Sequence, residues 1–125
     1  MKTLQHYFEK ESVEKMFFCF ADPHFKKVNH RRRIINTDLI SDYAFCLKEQ
    51  GQIYIVTDVK DLFDWEYEHM KKHPLFEEIP KEETAKDPCV KFMSEDTDEA
   101  RKVIRNGGEI WHAVFRKVVA GRSQQ

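Results

Sequence analysis

Two acids, Asp22 and Asp58, each stand just past a short apolar run, and a dense basic cluster follows the first of them. From Phe17 to Ile35 the chain reads FFCFADPHFKKVNHRRRII, an apolar run that opens abruptly into an acid, a proline, an aromatic and a block of cations. Phe17, Phe18, Cys19 and Phe20 predict a strand buried on both faces, as in the middle of a parallel sheet, with Asp22-Pro23 ending it. Ligands of open α/β sheets collect beyond the carboxyl ends of the strands, which makes Asp22 the first candidate for chemistry. Lys26, Lys27, Arg31, Arg32 and Arg33 put five fixed positive charges within eight residues, with His30 among them. A charge run is commonly a solvated face, but this composition in a loop at the mouth of a sheet favours a polyanion, held by phosphate contacts that position it without reading bases.

The elements that must position these groups follow a βαβ plan. Residues 1–14 read as the tail of a helix and a polar link, Lys15–Phe20 as the first strand, and the basic loop runs to about Asn36. Asn36 or Thr37 can cap a helix whose apolar face is Leu39, Ile40, Tyr43, Ala44 and Leu47, with Gly51 as its end. QIYIVT, residues 52–57, predicts a second buried strand, and Asp58 stands at its carboxyl end as Asp22 does at the end of the first. Parallel strands joined by one helix put both acids on the same edge of the sheet. A helix is expected from about Asp61 to Lys72 with Leu62, Trp65 and Met70 inward, then a short strand over Phe76–Ile79 and a long surface loop from Pro80 to Asp96. Thr97 starts a further helix, with Asp98 and Glu99 in its first turn and Gly107-Gly108 closing it; Glu109–Val119 is the final strand, followed by a disordered tail.

Several separated motifs carry a resemblance: DPHFKKVNHRRRII, then YAFCLKEQGQIYIVTDV, DW, HPLFE, TDEARKVIRNGG and AVFRK, in that order. Together they resemble the carboxyl-terminal half of the eukaryotic tRNA (guanine-N7)-methyltransferases, over almost the whole chain. Ala21 replaces the proline that usually precedes the Asp-Pro pair, and Gln50-Gly51 replaces a Gly-Gly turn. The resemblance implies an α/β fold, the carboxyl-terminal half of a Rossmann-like S-adenosylmethionine-dependent sheet, and a single partial domain over residues 1–125. It implies that Asp22 is catalytic, that Lys26 and Asp58 meet the RNA, that Thr97 and Glu99 contact the methyl donor, and that Cys19 lines the donor through its backbone. It also implies a WD-repeat β-propeller partner and a nuclear location. Missing is the family's glycine-rich loop: the four glycines are Gly51, Gly107, Gly108 and Gly121, and no GxG occurs. By the resemblance Met1 falls just after an Asn-Ala pair that contacts the adenosine, so most of the donor pocket is expected to be absent.

The chemistry suits the acids. The N7 atom of guanine carries no proton and already owns a lone pair, so its methylation needs orientation and stabilisation of positive charge on the purine rather than a strong base. Each assignment has a structural alternative: an Asp before proline makes turns, Thr before two acids caps helices, and a buried structural cysteine is the plainer reading of the Cys19 side chain. Trp65 and the phenylalanines read as core. His69 and His73, four apart, lack a third ligand and Pro74 disrupts that helix end, so no metal site is expected.

With 125 residues, one domain is expected. Charged residues are 34% of the chain, yet ten phenylalanines, four tyrosines and two tryptophans supply core material, which excludes wholesale disorder. The net charge of −1 conceals segregation, basic at 26–33 and acidic at 77–83 and 95–99. Three widely spaced cysteines argue for a reducing compartment and against a disulfide framework or zinc cluster. The chain has no apolar run near the length of a membrane span and no signal-peptide core at its start, so an intracellular protein is expected. The rival reading is a truncated, non-catalytic module that binds tRNA or the partner without methylating anything.

Overall fold

The computed structural model describes residues 11–22, 35 and 37–118. The expected amino-terminal helix tail and the expected disordered carboxyl-terminal tail lie outside the described residues, except that strand structure already begins at Val13. Four strands form one mixed sheet: β1 (Val13–Cys19), β2 (Leu47–Thr57), β3 (Phe76–Glu78) and β4 (Trp111–Lys117), in the spatial order β1-β2-β4-β3. β1 and β2 are parallel, with Cys19 opposite Val56, and α1 (Thr37–Cys46) lies between them in the chain. β4 runs antiparallel to both β2 and β3.

β2 is the axis of the fold because its apolar run leaves it no polar face. Ile53 and Ile55 join Ile40, Tyr43, Ala44, Met70 and Phe115 in a cluster on the side of α1 and α2 (Lys60–Lys72), while Tyr54 and Val56 join Ile79, Val90, Met93 and Val114 on the other. Each buried Ile, Val, Met or Phe side chain removed from water contributes roughly 1.5–3 kcal/mol. Ile35, fully buried in the first cluster, returns the chain to the core ahead of α1.

Four expectations need correction. β1 is not buried on both faces: among the described residues it pairs only with β2, its burial alternates, and Phe17 is 46% exposed. Gly51 does not end a helix. Leu47, whose spacing fits the helical face, instead opens β2 opposite Val13, and the chain bulges through Lys48, Glu49 and Gln50 before pairing resumes at Lys15–Gln52. Gln50 adopts φ 71°, and a side chain at Gly51 would stand 2.8 Å from the Lys48 carbonyl, so glycine answers a close approach inside a strand. The stretch 80–96 is no surface loop. It forms three successive turns, α3 (Lys81–Thr84), α4 (Pro88–Lys91) and a wide π turn (Phe92–Asp96), which bury Thr84, Val90 and Met93 in sequence. Phe17 and Phe92, expected in the core, are exposed, the latter 59%.

α5 (Asp98–Arg105) begins and ends as its sequence dictates. The Thr97 hydroxyl accepts from the Ala100 N–H at 3.1 Å, and Gly107 in the left-handed region lets the Gly107 and Gly108 N–H groups close on the Ile104 and Val103 carbonyls.

Candidate active site

The carboxyl ends of β1 and β2 form the site because the two strands are parallel and in register there. The Phe20 N–H donates to the Val56 carbonyl at 2.8 Å, extending the pairing one residue past β1, and Phe20 itself sits at φ 55°. A bulky aromatic in the left-handed region is uncommon and strained; here its ring is held against the Tyr54–Val114 cluster while the backbone turns out toward Asp22. Asp22 and Asp58 are both exposed at this edge. Behind Asp58, the Val59 N–H donates to the Thr57 hydroxyl at 3.1 Å, which fixes the turn into α2.

Two clefts open around this part of the fold, one of them at Asp58. One, of about 340 Å³, is lined by Phe20, Asp58, Glu99, Lys102 and Asn106, so the fold brings Asp58 and Glu99 to one concavity. Glu99, Lys102, Val103 and Asn106 recur at helical spacing on one face of α5; that spacing is visible in the sequence, yet only Glu99 among them is a candidate there. The second cleft, about 410 Å³ and nearly all apolar, lies along the outer face of β1 between Phe17, Cys19, Cys89, Phe92, Met93 and Thr97.

The cysteine reading changes with the geometry. The Cys19 side chain is exposed rather than buried. Local burial, then the carboxylates of Glu99 and Glu66, push its thiol up from the ordinary value, which keeps it protonated and unsuited to nucleophilic work. Thr97 performs the capping role fully: besides accepting from Ala100, its hydroxyl lies 3.5 Å from the Met93 carbonyl. The basic residues Lys26, Lys27, His30, Arg31, Arg32 and Arg33 lie outside the described residues.

Both ends of the segment that carries them are nevertheless anchored. Phe20 is tied to Val56 at one end; at the other, the Ile35 carbonyl accepts from the Trp65 indole N–H at 2.8 Å. Trp65 stacks on His69, whose Nδ1 lies 2.8 Å from the Trp65 carbonyl, while His73 Nδ1 accepts from the Leu75 N–H. These two histidines therefore serve helix α2 and the turn after it. Among the described residues no His, Cys, Asp and Glu group has the makings of a metal site, and no helix is long and apolar enough to cross a membrane.

Comparison with known proteins adds the family. A tRNA (guanine-N(7)-)-methyltransferase of Caenorhabditis briggsae is 52% identical over 118 residues, which cover 94% of this chain and 46% of that protein. The proteins of the same name from Bombyx mori and Oryza sativa subsp. japonica are 51% and 50% identical over the same share of the chain, covering 50% and 46% of their own lengths. The chain thus spans about half the length of the curated relatives it matches. A family model described as "Putative methyltransferase" matches residues 1–113, which takes in every strand of the sheet up to the middle of β4 and both acids at its edge: the chain belongs to this methyltransferase family.

Proposed function

We propose that the chain carries the acidic and RNA-facing part of a tRNA (guanine-N7)-methyltransferase, the activity named for its relatives. The observation that carries the proposal is the placement of Asp22 and Asp58 at the carboxyl ends of adjacent parallel strands, in a chain about half identical to proteins of that name. Asp22 meets the positive charge that appears on the purine as N7 is alkylated, and Asp58 orients the RNA. Lys26, Lys27, His30, Arg31, Arg32 and Arg33 hold tRNA phosphates. A WD-repeat β-propeller partner and a nuclear location complete the proposal on the strength of the family resemblance.

S-adenosylmethionine is the general methyl donor of methyltransferases, and the described residues fit only one wall around it. Gly51 is packed inside β2, Gly107 shapes a helix end and Gly108 abuts Val103, so none of these glycines makes a backbone cradle at the end of β1. Cys19 and Thr97 line an apolar cleft and Glu99 a second, more polar one, and the described residues alone do not enclose the donor. That same observation favours a second reading, a module that binds tRNA without methylating it.

The two are separated by a single-turnover assay of guanine N7 methylation with unmodified tRNA. It is run with the chain alone and with the remaining half of the Bombyx mori relative supplied in trans. The enzyme reading expects methylation only in the complemented mixture, lost in Asp22→Ala while tRNA affinity is kept, because a charge met in the transition state adds little to ground-state binding. Near-normal turnover by Asp22→Ala would overturn the role of Asp22, and tRNA binding with no turnover in any mixture would leave the binding module.

A further inference from the structure

The molecule has two tryptophans, and the fold treats them differently. Trp65 is a structural residue: its N–H is spent on the Ile35 carbonyl and its ring is stacked on His69. Trp111 opens β4 opposite Thr57, so it stands at the same carboxyl-end edge of the sheet as Asp58. Its ring is partly exposed, and among the described residues its indole N–H has no acceptor. A tryptophan built into a core normally finds a partner for that N–H. The Lys60 ammonium stands 6.0 Å from the ring centroid, at the outer limit of a cation–π contact, with Asp64 as its ion-pair partner at 2.5 Å.

We propose that Trp111 and Lys60 form a stacking platform for a nucleobase of the RNA strand next to the target guanine, with the indole taking the base face and the Lys60 ammonium its phosphate. The inference rests on the tRNA reading above and adds a contact to it. Three features carry it. An exposed aromatic face beside a long, solvent-facing cation is the recurrent unit of single-stranded nucleic-acid binding, and stacking tolerates any base. The position is right: β4 lies two strand spacings from β1, roughly 10 Å, so a base on Trp111 adjoins one presented to Asp22 without overlapping it. The intervening strand end carries Asp58, which leaves the platform on the far side of the acid pair and in line with it.

The test is tRNA titration of the whole chain, read by tryptophan emission and by an independent affinity measurement at several salt concentrations. Base stacking on Trp111 is expected to quench wild-type emission. Trp111→Phe, with only Trp65 left to report, is expected to lose that quench while retaining most of the affinity. Trp111→Ala is expected to weaken binding roughly five- to hundred-fold, the range for removing a stacking aromatic. Lys60→Gln is expected to flatten the slope of log affinity against log salt by about one unit. Binding of tRNA with the same fractional quench in Trp111→Phe, or with unchanged affinity in a folded Trp111→Ala, would overturn the platform and leave the tRNA reading standing. Failure of wild type to bind tRNA at all would overturn both.

Discussion

The Tyr54 hydroxyl decides how the 80–96 segment is held to the sheet, and removing it is the sharpest single perturbation the structure offers. It lies 2.5 Å from Asp87 Oδ2 and 2.6 Å from Gln52 Oε1. One hydroxyl proton serves one of these, and the carboxylate is the stronger acceptor. Burial would raise the Asp87 carboxyl, but the bonds from Tyr54 and from the Cys89 N–H, with the charge of Lys15, hold it below the ordinary value. The Tyr54 phenol is pushed up, by burial and then by the same Asp87 bond. Tyr54→Phe keeps the ring, its stacking on Phe17 at 4.6 Å and its place in the core, and deletes only the hydroxyl. A hydrogen bond to a charged group contributes about 1.5–3 kcal/mol, and this one is only partly buried, so a loss of about 2 kcal/mol is expected.

Urea unfolding of Tyr54→Phe, Asp87→Asn and the double variant measures it. In Asp87→Asn the new amide oxygen can still accept from the Cys89 N–H as a helix cap, so the cycle isolates the charged bond, and a coupling of about 1–2 kcal/mol is expected. Because the folded carboxyl is depressed, its contribution is complete above the unfolded Asp value of about 3.9 and is lost as pH falls through the lower folded value. Wild type and Tyr54→Phe therefore converge in stability toward low pH. A coupling below about 0.5 kcal/mol, or a difference that does not narrow as pH falls below the unfolded Asp value, refutes the charged-bond account.

Further outcomes are expected. Thr97→Ala removes the cap of α5 at a cost of about 1 kcal/mol and speeds hydrogen exchange at the Ala100 amide; unchanged exchange there would deny the cap. His112 and His73 are both pushed below the ordinary imidazole value by burial, His112 also by the charge of Lys81. The unfolded chain thus takes up protons at about pH 6.5 that the folded chain refuses, and stability falls as pH drops through that value. His112→Phe should reduce the slope, and a slope unaltered in that variant would remove His112 from the account. Phe17→Lys, in the strand that among the described residues pairs on one side only, is expected to reduce self-association in sedimentation and the binding of a hydrophobic dye. A wild-type chain that is already monomeric and dye-silent would sink that expectation.

What the sequence makes legible depends on whether burial is a property of the segment or of its neighbours. QIYIVT is apolar on both alternations, so it has to be flanked and covered on both sides, and it is. The capped helix at Thr97 and its glycine exit are local chemistry, legible in any context. The run FFCF looks equally enclosed, but whether a strand is central depends on what pairs with its second edge. Leu47 suits both a helical face and an inward strand position; only its pairing with Val13 decides. The turns of 80–96 are too short for any period to show, and each buries one side chain. Trp111 gives no signal at all, since the role proposed for it depends on its standing opposite Thr57, a fact of register.

The corrections along β1 and at Cys19 have one physical origin, and it bears on the chemistry. Edge strands are usually guarded by charge, yet β1 has its charges, Glu14 and Lys15, at the amino end, and nothing charged from Met16 to Phe20. Its outer face, with Phe17 and Cys19, forms one wall of the apolar cleft whose other wall is Cys89, Phe92, Met93 and Thr97. Any strand that pairs with the edge of β1 left open among the described residues would lie alongside that strand, about 5 Å away. A strand added there would also narrow the cleft, and Cys19 and Thr97, which the proposed function gives to the donor, are among the residues it would cover. Asp22 and Asp58 sit at the end of the β1–β2 pair, whose register is already fixed by bonds within the chain. The acid edge is thus organised by contacts within the chain, so under the proposed function loss of tRNA binding and loss of donor binding are expected to be separable.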